Sequence, residues 1–448
     1  MTRDPENLLR PAGDDFLEQA RSIDAADPLK TFRGEFHFPR TDDGLDKVYL
    51  CGNSLGLQHC SVSEAVEAVL RAWRDRAVEG HFTGDPPWLN YHEHLRAGQA
   101  ALVGVDPAQI VTMNTLTVNL HLAMVSFYRP QGRRQRILIE KQAFPSDRYA
   151  VESQIRWHGL DPAECLVEVS PAEGERLLGE DQVEAYLQQH GDSVALVLWP
   201  GVQYATGQVF DLPRISLAAR ECGASLGFDL AHSIGNVPVH LDESTCDFAA
   251  WCTYKYLNAG PGAVGGMYVH ERHHGRSDLP RFNGWYGNDP ASRFRMAAEF
   301  SPASGADAWQ LSTPPILAMA PLFASLAVFQ RAGFNRLHQK SQAMTAWLAK
   351  KIDAHLGKVL EIITPHEAER RGCQICLRVR AGRTAGRNLF TYLERAGVVP
   401  DWREPDVIRV TPVPLYNNFE DCALLLALIR RWASSNIPPA GHSAPAAT

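Results

Sequence analysis

The sequence lacks what would place it in a membrane, on nucleic acid or outside the cell. No apolar run of roughly 18 residues is free of charge, so no membrane span is expected. The N-terminus opens with charged residues and has no apolar h-region, so no signal peptide is expected. The net charge is -7 and the pI about 6.2, with no long basic stretch. Arg133-Arg134 and Arg370-Arg371 are short pairs that read as solvated surface, which argues against a nucleic-acid partner. Nine cysteines lie scattered with no framework spacing, as free thiols in a reducing compartment would. Cys373 and Cys376 form one C-x-x-C with no second pair and no flanking histidines, so neither metal nor redox use is expected. These absences point to a cytoplasmic protein. No internal repeat is present.

What is present is a chain of 448 residues, 45% of them hydrophobic, long enough for two domains with sizeable cores. Residues 1–48 read as a polar N-terminal segment packing on a small domain. Residues 49–330 read as a large α/β domain, 331–437 as a smaller α+β domain, and the Pro/Ala/Ser-rich stretch 438–448 as a disordered tail. In the large domain, apolar runs at 137–139, 194–199, 225–228, 248–251 and 264–269 alternate with helical spacing near 63–76, 120–127 and 212–222. That alternation predicts a mainly parallel central sheet covered by helices. Residues 275–315 are irregular, and an amphipathic helix is expected over 316–332. In the small domain the strand candidates are 376–379 and 408–410, with a helix between.

Two of the apolar runs end in residues that can do chemistry. Asp229 follows one, and Lys255 ends Trp251-Cys252-Thr253-Tyr254-Lys255-Tyr256 after another. Open α/β sheets bind ligands beyond the carboxyl ends of their strands. An acid and a lysine there predict a site for pyridoxal 5'-phosphate (PLP). The lysine would hold the aldehyde as a Schiff base and the aspartate would face the pyridine nitrogen. Asp229 could instead cap the next turn, and Lys255 could be a surface lysine. His232 would share the side of Asp229, either supporting it or serving the fold. Leu116 and Thr117 open a helical run, where free N–H groups bind anions, though Thr117 could be a plain N-cap. Phe144 could stack on a flat ring and Asp147 orient a neighbour. Arg409, between apolar residues, would either clamp a substrate carboxylate or sit in a buried salt bridge.

The motifs Tyr49-Leu50-Cys51-Gly52-Asn53-Ser54-Leu55-Gly56-Leu57, Met113-Asn114-Thr115-Leu116-Thr117, Phe144-Pro145-Ser146-Asp147, Asp229-Leu230-Ala231-His232, Trp251-Cys252-Thr253-Tyr254-Lys255 and Arg409-Val410-Thr411-Pro412 run in order along most of the chain. In them the chain resembles the kynureninase family. That resemblance implies a fold-type I, class V aminotransferase-like PLP enzyme that hydrolyses L-kynurenine, or its 3-hydroxy form, to anthranilate or 3-hydroxyanthranilate and L-alanine in tryptophan catabolism. It implies Lys255, Tyr254 and Asp229 as catalytic residues. It implies Leu116, Thr117, Phe144, Asp147, His232, Trp285 and Thr313 as further cofactor contacts, and Ser54, His81 and Arg409 as substrate contacts. It also implies a homodimer with shared sites, Trp285 and Thr313 arriving from the partner. The rival reading within the superfamily is a cysteine desulfurase, for which Cys373 would be the attacking thiol.

Overall fold

The computed structural model describes residues 15–435, so the expected tail and the first 14 residues lie outside the described residues. The chain divides into two compact units. One holds 55–204 and 208–334; of the described residues, the other holds 15–54, 205–207 and 335–435.

The first unit is built on a seven-stranded sheet. In chain order its strands are β1 (Ile110–Thr112), β2 (Arg136–Glu140), β3 (Leu166–Val169), β4 (Val194–Pro200), β5 (Ser225–Asp229), β6 (Phe248–Trp251) and β7 (Gly266–Val269). Their spatial order is β1-β7-β6-β5-β4-β2-β3. The pairs from β6 to β3 are parallel, and β7 runs antiparallel to both β6 and β1. The centre of the sheet is dry. Val194 to Trp199 are all buried, because helices cover both faces and no side chain before Pro200 needs to meet water. Burial of each such Leu, Val or Trp side chain contributes roughly 1.5–3 kcal/mol. On one face Phe127 stacks on Phe248 at 5.3 Å and on Trp309 at 6.4 Å.

Between the strands come α1 (Leu116–Phe127), α2 (Pro145–Trp157), α3 (Glu180–His190) and α4 (Leu212–Cys222). Proline at the first or second position starts α2 and α4, where its missing N–H costs nothing. Gly223 ends α4 in the left-handed region, φ 73°. The segment 275–315 is irregular apart from short 3-10 turns at Trp285–Gly287, Arg293–Arg295 and Gly305–Trp309. The helix Ile316–Ala332 forms, but it is not amphipathic. Its apolar residues run all round, and Leu317 and Phe323 stay exposed.

The second unit has a four-stranded antiparallel sheet of β8 (Leu360–Ile362), β9 (Ile375–Val379), β10 (Asp401–Arg403) and β11 (Val407–Val410), in the order β8-β9-β11-β10. The helix Asp15–Ala26, the early part of the sequence, packs in the same core: Phe16, Leu17 and Ala20 join Met344, Leu348, Leu377 and Leu426. The mid-chain residues 205–207 also belong here, because the Thr206 carbonyl accepts a bond from Thr364 Oγ1 at 2.6 Å. Val48–Tyr49 form a two-residue strand parallel to Val398–Val399.

Candidate active site

The carboxyl ends of β2, β4 and β5 and the turn after β6 surround a cavity of about 240 Å³. Leu116, Thr117, Phe144, Asp147, Asp229, His232, Tyr254 and Lys255 all line it, so eight of the expected residues meet in one place.

Each is placed by local backbone rules. Asp229 is the last residue of β5 and is buried; its Oδ1 accepts the Ala231 N–H at 2.7 Å. It therefore caps the turn and also lines the cavity. Lys255 sits in a turn pinned on both sides: Thr253 Oγ1 donates to the Val264 carbonyl at 2.6 Å, and Asn258, at φ 52°, donates its N–H to the Lys255 carbonyl at 3.0 Å. The Lys255 Nζ lies 2.9 Å from Nε2 of His232, 6.0 Å from the Phe144 ring centre and 5.9 Å from that of Tyr254. Gly56 touches this turn from outside. Its N–H donates to the Tyr254 carbonyl at 2.9 Å, and a Cβ there would stand 2.3 Å from the Lys255 carbonyl oxygen.

Two helices begin at the cavity. Thr115, not Thr117, is the N-cap of α1, and its side chain makes no capping bond. The first amides of α1 therefore lack intrahelical partners and point positive charge at the cavity. Thr117 Oγ1 instead meets Ser146 Oγ at 2.8 Å, on the first turn of α2. Phe144 caps α2 and is 41% exposed, its ring edge-on to Tyr204 at 5.2 Å, so one face is open for stacking.

The charges are unbalanced. Glu140, Asp147 and Asp229 are three buried carboxyls on one cavity. Burial pushes Glu140 up to about 8, with the nearby charge of Asp229 adding to it. Burial and then Asp229 push Asp147 well above the ordinary carboxylate range. Burial also raises the Tyr254 phenol. A cavity with excess acid at one end and free helix amides at another fits a phosphorylated, protonated pyridine ring. The cation relieves the acids, and the amides take the phosphate. Glu140 and Ser146 were not among the expected residues. Glu140 ends β2 as Asp229 ends β5, and the same strand-end logic points to it.

The other expected residues lie elsewhere. Trp285 and Thr313 line a separate open cleft with Phe282, Asn283 and Leu311. His81 ends a 3-10 turn and meets the Trp88 ring edge-on at 5.4 Å. Ser54 and Arg409 belong to the other unit. Arg409 is fully buried on β11 and ion-paired with Asp401 of β10. Arg403 Nη2 and Arg409 Nη2 both donate to Ser54 Oγ at 3.3 Å. Cys373 and Cys376 are buried, which leaves Cys373 unsuited to attack a substrate from a mobile loop.

Residues 337–429 match the family described as the kynureninase C-terminal domain. The chain is 55% identical to a kynureninase of Stenotrophomonas maltophilia over 92% of this chain and 97% of that protein. It is 54% identical to one of Xanthomonas campestris over 93% and 98%. The chain belongs to the kynureninase family. Among solved structures, the cysteine desulfurase CsdA of Escherichia coli superposes with a TM-score of 0.72 at 17% identity, over 91% of this chain and 98% of that one. A cystine C-S lyase in complex with cysteine persulfide gives 0.71 at 20%, over 85% and 97%. At these identities the two show the fold alone: the kynureninase family shares the fold-type I architecture with enzymes of sulfur chemistry. No single described helix is long and apolar enough to cross a membrane.

Proposed function

We propose that this chain hydrolyses L-kynurenine to anthranilate and L-alanine, with PLP as cofactor in the cavity at the strand ends. The observation that carries this reading is Lys255, Asp229 and the free N-terminus of α1 on one cavity, in a chain of the kynureninase family. When bound, PLP supplies an electron sink for the carbanion formed at the substrate α-carbon.

The protein's part is to bind, orient and move protons. Lys255 would hold the cofactor aldehyde and, once released by the substrate amine, take the α-proton; His232 Nε2, at 2.9 Å, fixes where that amine starts. Asp229 would face the ring nitrogen, Phe144 stack on the ring, and Leu116 and Thr117 offer amides to the phosphate. Asp147 would support the ring beside Asp229. Tyr254 keeps its phenolic proton over the working pH range, because burial raises it, and is the candidate donor to the leaving fragment. Arg409 would take the substrate carboxylate, with Ser54 and His81 near the substrate's aromatic ring. Trp285 and Thr313 would complete the phosphate region of a second subunit in a homodimer with shared sites. In this reading 49–330 is the PLP-binding domain, 331–437 the small domain and 1–48 a segment packing on it. The free cysteines support a cytoplasmic enzyme of tryptophan breakdown, feeding pyridine-nucleotide synthesis where the product is 3-hydroxyanthranilate.

The test is anthranilate fluorescence on mixing PLP-loaded protein with L-kynurenine, with 3-hydroxy-L-kynurenine in parallel and products separated by chromatography. Turnover of the first is expected. Protein that takes up PLP but cleaves neither would overturn the reading.

A further inference from the structure

Glu140 is a buried acid with no part in the chemistry above, yet it lies on the same cavity. It ends β2, two strands from Asp229 in the sheet, and the Nε2 of Gln203, in the loop after β4, stands 3.4 Å from its Oε1. That same Nε2 donates to the Gln142 carbonyl at 2.9 Å, so the amide is fixed and Glu140 meets a rigid wall. The titratable and charged groups facing it across the cavity are Asp147 on α2, Asp229 at the end of β5, His232 in the turn beyond, Tyr204, and Tyr254 and Lys255 after β6. Two aspartates and one lysine leave no cation for a third carboxylate. A buried acid in that company stays neutral until solvent pH forces the proton off.

We propose that Glu140 is a positioning residue for the cofactor: held on the cavity wall beside Gln203, it adds a further anion to the cavity that also holds Asp229 and Lys255 when it gives up its proton. This deepens the PLP reading and rests on it. In the cofactor-free protein burial raises the Glu140 carboxyl to about 8, and a bound cation draws it back down toward neutrality, within the range a titration can follow. The sign is fixed: a second anion favours the protonated form of the cofactor and its lysine linkage, holding their proton to higher pH.

The readout is the visible absorbance of the PLP-loaded protein, titrated from acid to alkali, with no substrate present. Glu140→Gln keeps the shape and removes the charge. Its absorbance midpoint is expected about one pH unit below that of the unsubstituted protein. Glu140→Asp keeps an acid but draws it back by one methylene, and its midpoint should fall by less. Midpoints unmoved in both variants, or raised in either, would overturn the proposal. If Glu140→Gln does not fold, Glu140→Asp decides alone: a lowered midpoint supports the proposal and an unmoved one overturns it. An unsubstituted protein with no visible absorbance after PLP loading would overturn the PLP reading itself, and the proposal with it. Absorbance present but insensitive to Glu140 overturns the proposal only.

Discussion

Asp401 and Arg409 are direct cross-strand partners on β10 and β11, and Asp401 Oδ2 accepts from both Nε and Nη2 of the buried guanidinium. Arg403, two residues along β10, donates its Nε to the same oxygen at 3.1 Å. Asn53, with its amide oxygen turned to the guanidinium, accepts from Nε and Nη2 at 3.0 Å. One carboxylate thus sets the orientation of both arginines.

Removing that carboxylate strands a buried charge. Asp401→Asn is expected to destabilise the protein by roughly 3–5 kcal/mol, the cost of breaking a buried pair from one side. Urea unfolding measures it, and a change under about 1 kcal/mol would show that Asn53 and Ser54 suffice to hold Arg409.

Arg409→Lys keeps the charge but loses the planar fork. If Arg409 takes the substrate carboxylate, KM for L-kynurenine rises by about tenfold or more while kcat changes less. Steady-state kinetics on both variants separate the clamp from its support.

Lys255→Ala removes the amine 2.9 Å from His232. Loss of the proton carrier alone costs about 10²–10⁴-fold in kcat. The variant should also release PLP on gel filtration, which the unsubstituted protein should retain.

Gly56→Ala tests how firmly the lysine turn is held from outside. The new methyl would meet the Lys255 carbonyl oxygen at 2.3 Å and Asn258 Cα at 2.9 Å, both backbone atoms that cannot swing away. A loss of about 1–3 kcal/mol is expected. Thermal unfolding reads that loss, and PLP retention shows whether Lys255 has moved.

Measured against a Glu140→Gln variant, the cofactor-free protein should lose stability as pH rises from about 4.5 to about 8. Glu140 goes from 4.5 in the unfolded chain to about 8 when folded, so within that window the folded state binds more protons than the unfolded one, and alkali favours unfolding. The stability difference between the two proteins should therefore narrow or turn against the unsubstituted one as pH rises. Melting temperatures across the range, for both proteins, check it.

The site was legible where an apolar run stops abruptly. Asp229 and Lys255 end such runs, and β4, β5 and β6 stand where continuous hydrophobicity places them. Less legible were strands that alternate or are short. β3 is an edge strand whose Leu166, Val167 and Glu168 are half-exposed, and β10 is Asp-Trp-Arg. Arg409 reads first as a clamp, with a buried pair as the alternative, because its partner is set by strand register rather than by any local pattern. The helix Ile316–Ala332 misled by length: its spacing looked amphipathic, while Leu317 and Phe323 continue the apolar surface around it. The place of residues 205–207 in the other unit depends on the Thr364 hydroxyl, far away in sequence.

The turn that carries Lys255 is tied to the Val264 carbonyl on one side and closed by Asn258 on the other, with Gly56 pressed against its back. With the main chain so fixed, the four-carbon stem is what is left to move, starting from an amine 2.9 Å from His232. Protons that the amine removes and returns would then cross one face of the bound molecule. Handedness in the alanine released would come from the rigidity of a turn, with no second acid or base needed to select it.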